Sequence, residues 1–315
     1  MHDRVLGLDI GGTKLAAGVI SHDGDVLSFA TAPTPSNADA GLRSLVELGH
    51  RAIHAAGAPA PSLVGIGSCG PLDPATGVLT NPINLDGWRD VAVRDVVAQA
   101  LNLPTVLNND ATAAAAGEWL FGAGQGMANV LYLTISTGIG GGVVAGGRLF
   151  LGTSGNGGEL GHLIVVRNGR KCMCPQSGCL EAHCSGSAIA QIARERVAGG
   201  RTSVLASLES ITAASVAAAA KAGDDLAVKV WDEAMTILAE GITSLANIFE
   251  PQVIVLGGGV TGAGDQLLAP IRDRVRTHAI TAEKYLPKIV LSDAGPHVGV
   301  VGAAAAAIHL AETAG

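Results

Sequence analysis

An α/β fold of two related halves is the architecture this sequence predicts, and three observations predict it. Short β-branched runs alternate with helical stretches along almost the whole chain. The pattern strand, glycine-rich loop, strand occurs at residues 5–20 and again at 130–146. Three β-branched runs end in glycine-rich loops, DIGGTK (9–14), STGIGGG (136–142) and LGGG (256–259). Two phosphate-sized loops facing each other would form a cleft.

The elements follow in order. RVLGLDIGGTKLAAGVIS reads as a strand, a tight Gly-Gly turn and a returning strand, and GDVLSFATAP adds a third. In 38–56, Leu42, Leu45, Val46, Leu48 and Ile53 share one helical face. SLVGIGSCG is a buried strand, and the Pro-, Gly- and Asn-rich run 70–87 is a long loop. A helix at 91–101, a strand at 104–108, a helix at 111–120 and two strands around the second glycine loop come next. The clearest helix, 225–249, stops at Pro251; QVIVLGGGV is again a buried strand, followed by a strand at 288–292 and an alanine-rich helix from about 299. No low-complexity linker separates domains. The expected boundary lies near 118, giving a small domain of 1–118 joined by 299–315 and a large one of 119–298.

The 315 residues are 48% hydrophobic and 15% charged, the profile of a well-buried globular protein. A net charge of −7 leaves no basic excess for nucleic acid or an anionic membrane face. Asp9 and two glycines interrupt the start before an apolar signal region can form. No run reaches the roughly 18 apolar residues of a membrane span. Five cysteines, four of them crowded at 172–184, suit a reduced compartment and a metal site better than a disulfide framework. Cytoplasmic location is expected.

DIGGTK sets a carboxylate at a strand end beside backbone N–H groups able to converge on an anion, although a plain hairpin turn has the same look. Three such loops together favour a nucleotide site. Neither G-x-G-x-x-G after the first strand nor G-x-x-x-x-G-K-[ST] occurs in them, which argues against the Rossmann and Walker types. In LNNDATAAAAGEW, Asp110 reads either as an N-cap worth about 1 kcal/mol or as a carboxylate at the carboxyl edge of a sheet, able to take a proton from a substrate hydroxyl. His162-x9-Cys172-x-Cys174-x4-Cys179 matches a closed Cys3His zinc site, structural because it leaves no open position. Its task would be to clamp the segment carrying Glu159, His162 and Glu181. The second imidazole nitrogen would meet a carboxylate or hydroxyl. Cys69 and Cys184 fall outside this spacing and read as small apolar residues.

LDIGGTKLAAGVI, NNDATAAAAGE, STGIGGGVV, GGELGH, CMCPQSGCLEAHCSG and VIVLGGGV, in this order across nearly the whole chain, resemble the ROK family of bacterial sugar kinases and sugar-responsive repressors. The resemblance implies the actin-like, ribonuclease-H-like ATPase fold, two α/β domains around a deep cleft. It implies ATP with Mg2+ and a structural Zn2+ held by His162, Cys172, Cys174 and Cys179. Asp9 would act near the magnesium, with Gly11, Gly12, Thr13 and Lys14 on phosphates. Thr137, Gly138, Gly140 and Gly141 would form the facing phosphate loop, and Gly257, Gly258 and Gly259 would lie by the adenosine. Asp110 matches the family's catalytic base; Asn109, Glu159, His162 and Glu181 match its sugar ligands, together with Asn84. Three positions depart from the family pattern: Pro175 where glycine is usual, Thr112 where Asn is common, and Cys184.

The activity implied is phosphorylation of a hexose at its 6-hydroxyl, glucose first, with N-acetylmannosamine, N-acetylglucosamine or fructose as alternative acceptors. Polyphosphate is an alternative donor. A sugar-sensing repressor would need a helix-turn-helix ahead of a motif that begins here at residue 9; a non-catalytic sugar binder would need phosphate loops that hold no nucleotide. A homodimer or homotetramer is expected.

Overall fold

The computed structural model describes residues 3–82 and 84–313. The chain forms two compact units, one comprising the described residues of 1–128, 142–158 and 292–315, the other 129–141 and 159–291.

The first unit opens with β1 (Arg4–Ile10), β2 (Lys14–Ser21) and β3 (Val26–Pro33), the expected meander. α1 (Ala38–Ala56) follows, its first turn capped by Asn37, whose side-chain oxygen accepts from the Ala40 N–H at 3.2 Å. Then come β4 (Leu63–Ser68), β5 (Leu72–Asp73), β6 (Val78–Leu79), α2 (Val93–Leu101), β7 (Thr105–Asn109) and α3 (Asp110–Leu120). The main sheet has the order β3-β2-β1-β4-β7, with β1, β4 and β7 parallel. The stretch 70–87, expected as loop, contains the β5–β6 hairpin and is anchored by fully buried Leu79 and Trp88.

β8 (Val130–Ile135), β9 (Ile139–Ala145) and β10 (Arg148–Leu149) start a second sheet of order β10-β9-β8-β11-β12. Helices α4 (Leu180–Cys184), α5 (Gly186–Ala198), α6 (Ala213–Lys221) and α7 (Asp225–Phe249) precede β11 (Val253–Gly257), α8 (Asp265–His278) and β12 (Lys288–Leu291). α7 has the expected limits; Asp224 caps its start, and Glu250 in the left-handed region ends it before Pro251. Among the described residues no helix is long and apolar enough to cross a membrane.

The chain closes with α9 (Val298–Thr313) in the first unit. Residues 314 and 315 of the expected C-terminal helix, like residues 1 and 2, lie outside the described residues. One face of the first sheet packs Leu6, Leu8 and Leu15 against Leu45 and Leu48 of α1; the other packs Val5, Ala16 and Ile20 against Val300, Ala304 and Ile308 of α9. α9 approaches so closely that a Cβ on Gly7 or Gly65 would strike the carbonyls of Val300 or Ala303. Against α3 the fit is equally tight: a Cβ on Gly302 would stand 2.6 Å from the Ala113 carbonyl oxygen. The expected boundary near 118 therefore falls inside α3, where Gly117 faces Gly302, and the chain crosses between units after residues 128, 141, 158 and 291.

Candidate active site

Parallel register builds the cluster carried by the first unit. Ile10 pairs with Ser68, and Ser68 with Asn109, so β1, β4 and β7 bring Asp9, Cys69 and Asp110 to one carboxyl edge, where open α/β sheets bind ligands. The 10–14 turn is closed by the Gly11 N–H donating to the Lys14 carbonyl at 3.0 Å. The Thr34 hydroxyl fastens it by donating to the Gly11 carbonyl at 2.6 Å. Gly12, Thr13 and Lys14 remain exposed. A Cβ on Gly12 would lie 2.6 Å from the Asn84 carbonyl oxygen, so the absence of a side chain lets Asn84 sit against the turn.

Asn109, not Asp110, caps α3. Its Oδ1 accepts from the N–H groups of Ala111 at 2.9 Å and Thr112 at 3.2 Å, which commits that oxygen and leaves its amide as a donor for a ligand. The Thr112 departure lies buried in this cap. Among the described residues Asp110 commits only Oδ1, to the Ala111 N–H at 2.8 Å. Its side chain reaches solvent, yet the protein packed around it raises the carboxyl above the usual range, outweighing the opposing backbone hydrogen bonds. Asp9 rises from 3.8 to about 6, through burial first and the Asp110 charge second, with Lys14 opposing. Cys69, read from sequence as a small apolar residue, stands beside these groups. Burial and the Asp110 charge push its thiol up to about 11, although the Asn84 backbone N–H reaches its sulfur. Neither the spacing nor the composition signals this neighbourhood.

The second unit carries the other loops. β8 and β11 are parallel with Thr134 opposite Gly257, so Ser136–Gly138 and Gly258–Gly259 share one edge. Gly258 has φ +89° with the Ile135 carbonyl oxygen 2.5 Å from where a Cβ would stand, a position only glycine fills. Leu160–His162 forms a short 3-10 turn whose Gly161 lies on the Ile139 carbonyl, and Leu160 occupies the space a Gly141 side chain would need. Glu181, at the start of α4, accepts the Ile139 N–H at 2.8 Å.

The four expected metal ligands converge. His162, Cys172, Cys174 and Cys179 offer donor atoms all within 4.8 Å of one another. Metal–sulfur bonds of about 2.3 Å and metal–nitrogen bonds of about 2.0 Å in a tetrahedron set donors about 3.5–3.8 Å apart. The His162 Nδ1 to Cys172 Sγ and the Cys174 Sγ to Cys179 Sγ separations are both 3.6 Å, so the donor set fits Zn2+. Cys172 N–H to Gln176 carbonyl and Gly178 N–H to Arg170 carbonyl bonds fold the knuckle, with Pro175 exposed at its turn. His162 Nε2, turned away from the thiols, lies 3.9 Å from exposed Glu159. Cys184 stands apart, fully buried, its S–H donating to the Ala234 carbonyl on α7 at 3.2 Å.

The sequence model of the ROK family matches residues 5–309. The chain belongs to the ROK family. The glucokinase of Thermotoga maritima is 34% identical over 307 residues, covering 96% of each protein. The crystal structure of the ROK hexokinase from Thermus thermophilus superposes with a TM-score of 0.84 at 37% identity, covering 99% of this chain and 100% of that one. That of a ROK glucokinase from Streptomyces griseus in complex with glucose and AMPPNP gives 0.79 at 35% identity, covering 97% and 99%. The fold is accordingly the two-domain actin-like ATPase fold. Of the residues expected in the site of this ROK chain, the first unit gathers Asp9–Lys14, Asn84, Asn109 and Asp110. The second gathers Thr137–Gly141, Glu159, His162 and Glu181 with the cysteine knuckle.

Proposed function

We propose that this ROK protein is a glucokinase, transferring the γ-phosphoryl group of ATP to the 6-hydroxyl of glucose. The observation that carries the reading is Asp110: one carboxylate oxygen is fixed by the first N–H of α3 and the other is uncommitted, in surroundings that raise its proton affinity. The glucokinases at 34–35% identity over nearly the full length support glucose as acceptor.

In this reaction the hydroxyl oxygen of glucose attacks the γ-phosphorus, Asp110 takes the hydroxyl proton, and the bond to the β-phosphate oxygen breaks to release ADP. Asn109 donates its amide, and Asn84, Glu159, His162 and Glu181 hold further hydroxyls. Gly11–Lys14 and Thr137–Gly141 bind phosphates through backbone N–H groups and Lys14, and Gly257–Gly259 lie by the adenosine. Asp9 would hold Mg2+, which would neutralise phosphate charge. His162, Cys172, Cys174 and Cys179 would hold Zn2+, and ligation would fix the direction of the His162 imidazole. The protein acts in the cytoplasm as a homodimer or homotetramer.

The test is steady-state phosphorylation with ATP and Mg2+ across glucose, mannose, fructose, N-acetylglucosamine and N-acetylmannosamine. Glucose is expected to have the highest kcat/KM. A higher value for an N-acetylated sugar reassigns the acceptor, and turnover with polyphosphate but not ATP reassigns the donor.

A further inference from the structure

The cysteine knuckle and the 137–141 loop are joined at four points, all within the second unit. The Glu181 carboxylate accepts the Ile139 N–H at 2.8 Å, and the same Oε2 lies where a Gly138 side chain would stand. Gly161, one residue before the metal-binding His162, rests its Cα on the Ile139 carbonyl, and Leu160 packs against Gly141. The Gly186 N–H, just past α4, donates to the Ser136 carbonyl at 2.7 Å. Glu181 also touches the knuckle, with Oε1 3.7 Å from Cys172 Sγ, and lies two residues beyond Cys179. Both chain segments that supply the metal ligands therefore end on the phosphate loop. Glycines at 138, 141 and 161 make that approach possible.

We infer that the metal-bound knuckle sets the conformation of the 137–141 loop through Glu181 and the Leu160–His162 turn, so that zinc occupancy controls nucleotide affinity as well as sugar affinity. This rests on the kinase reading and extends it. Glu181 is on this account a positioning residue for the nucleotide loop: a carboxylate bound to a backbone N–H forms a charge-assisted hydrogen bond and fixes the direction of the neighbouring amides. Metal loss frees the 172–179 turn and the His162 ring, and the strut loses its footing. Thermodynamic reciprocity then requires nucleotide to hold the metal more tightly.

The experiment uses the full-length zinc-loaded protein without sugar, titrated calorimetrically with the non-hydrolysable ATP analogue AMPPNP and Mg2+. Zinc release to a chelator is followed with a metallochromic dye. The metal-free protein is checked by circular dichroism. Expected are AMPPNP affinity at least about tenfold weaker after zinc removal, and slower zinc release with AMPPNP present. Glu181→Ala should weaken AMPPNP about tenfold. Glu181→Gln, whose amide oxygen still accepts the Ile139 N–H, should stay within about twofold of wild type; a role confined to the sugar would leave both variants unchanged in this sugar-free titration, and that result too would overturn the inference. Unchanged AMPPNP affinity in folded zinc-free protein, or equal loss in the Gln and Ala variants, overturns the inference alone. A wild type that binds no AMPPNP overturns the kinase reading and this inference with it.

Discussion

Replacing Asp9 by asparagine should stabilise the ligand-free protein while destroying its activity. Asp9 carries a carboxyl raised from 3.8 to about 6 because burial strips water from the charged form and Asp110 stands nearby. Above neutral pH the folded state must therefore keep a charge that is better solvated in the unfolded chain. At about 1.4 kcal/mol per pKa unit the difference is worth about 3 kcal/mol at most. The sign follows from proton counting. Between pH 3.8 and about 6 the folded state binds more protons than the unfolded one, so this group's contribution to stability falls as pH rises through that window and stays at its lowest above it. The amide of the D9N variant has no such charge, so D9N should melt about 5 °C higher at pH 8 by calorimetry, the gap narrowing through pH 6 and closing near pH 4. Asp110, coupled to Asp9, ionises more easily once the Asp9 charge is gone, which adds to the gain at pH 8; titrating groups away from this pair are common to both proteins and cancel in the comparison. A variant melting at or below wild type at pH 8, or a gap unchanged between pH 8 and pH 4, would refute the reasoning.

Asp110→Asn should lower kcat by about 10²–10⁴ with glucose affinity held within a few-fold, measured by coupled assay and calorimetry, since the amide keeps the shape but takes no proton. Wild-type turnover by this variant would remove Asp110 as base. Cys174→Ser should lose zinc, read by metal analysis, and weaken glucose binding as His162 loses its anchor. Gly302→Val should cost about 3 kcal/mol or more and lower the melting temperature, because its side chain meets the Ala113 carbonyl and main-chain atoms cannot easily move aside.

Strands read cleanly from sequence because β-branched runs ending in glycine have few other solutions, and α7 because its amphipathic pattern is long and capped at both ends. The Cys3His cluster was legible for a different reason: thiols at that spacing have little packing logic, and the fold brings all four side chains together. What escaped depended on contacts distant in sequence. The β5–β6 hairpin is hidden in a run of turn formers and held by Leu79 and Trp88, whose burial no local pattern announces. The cap read at Asp110 lies one residue earlier, at Asn109, whose Oδ1 is taken up by the helix N–H groups while Asp110 gives only one oxygen to the Ala111 N–H. Cys69 looks like strand-end filler until parallel pairing sets it beside Asp110.

The 44 glycines carry a further argument. Gly7, Gly65, Gly117 and Gly302 are not in turns; each marks a place where two main chains pass at the distance of a missing methyl group. An alanine-rich α9 with little amphipathic pattern makes sense on this basis, since it is enclosed by β1, β4 and α3. Such packing leaves few side-chain torsions free to relax, so it holds backbone positions closely. The groups held are the two carboxylates to which the proposed function assigns the magnesium and the proton. Gly299, in the first turn of α9, leaves no room between that turn and the Asp9 carboxylate, and α3, pressed against the same helix, begins at Asp110. The composition that looks featureless in sequence thus fixes the two carboxylates relative to each other, and the raised pKa of Asp9 follows from its burial first and from the Asp110 charge second.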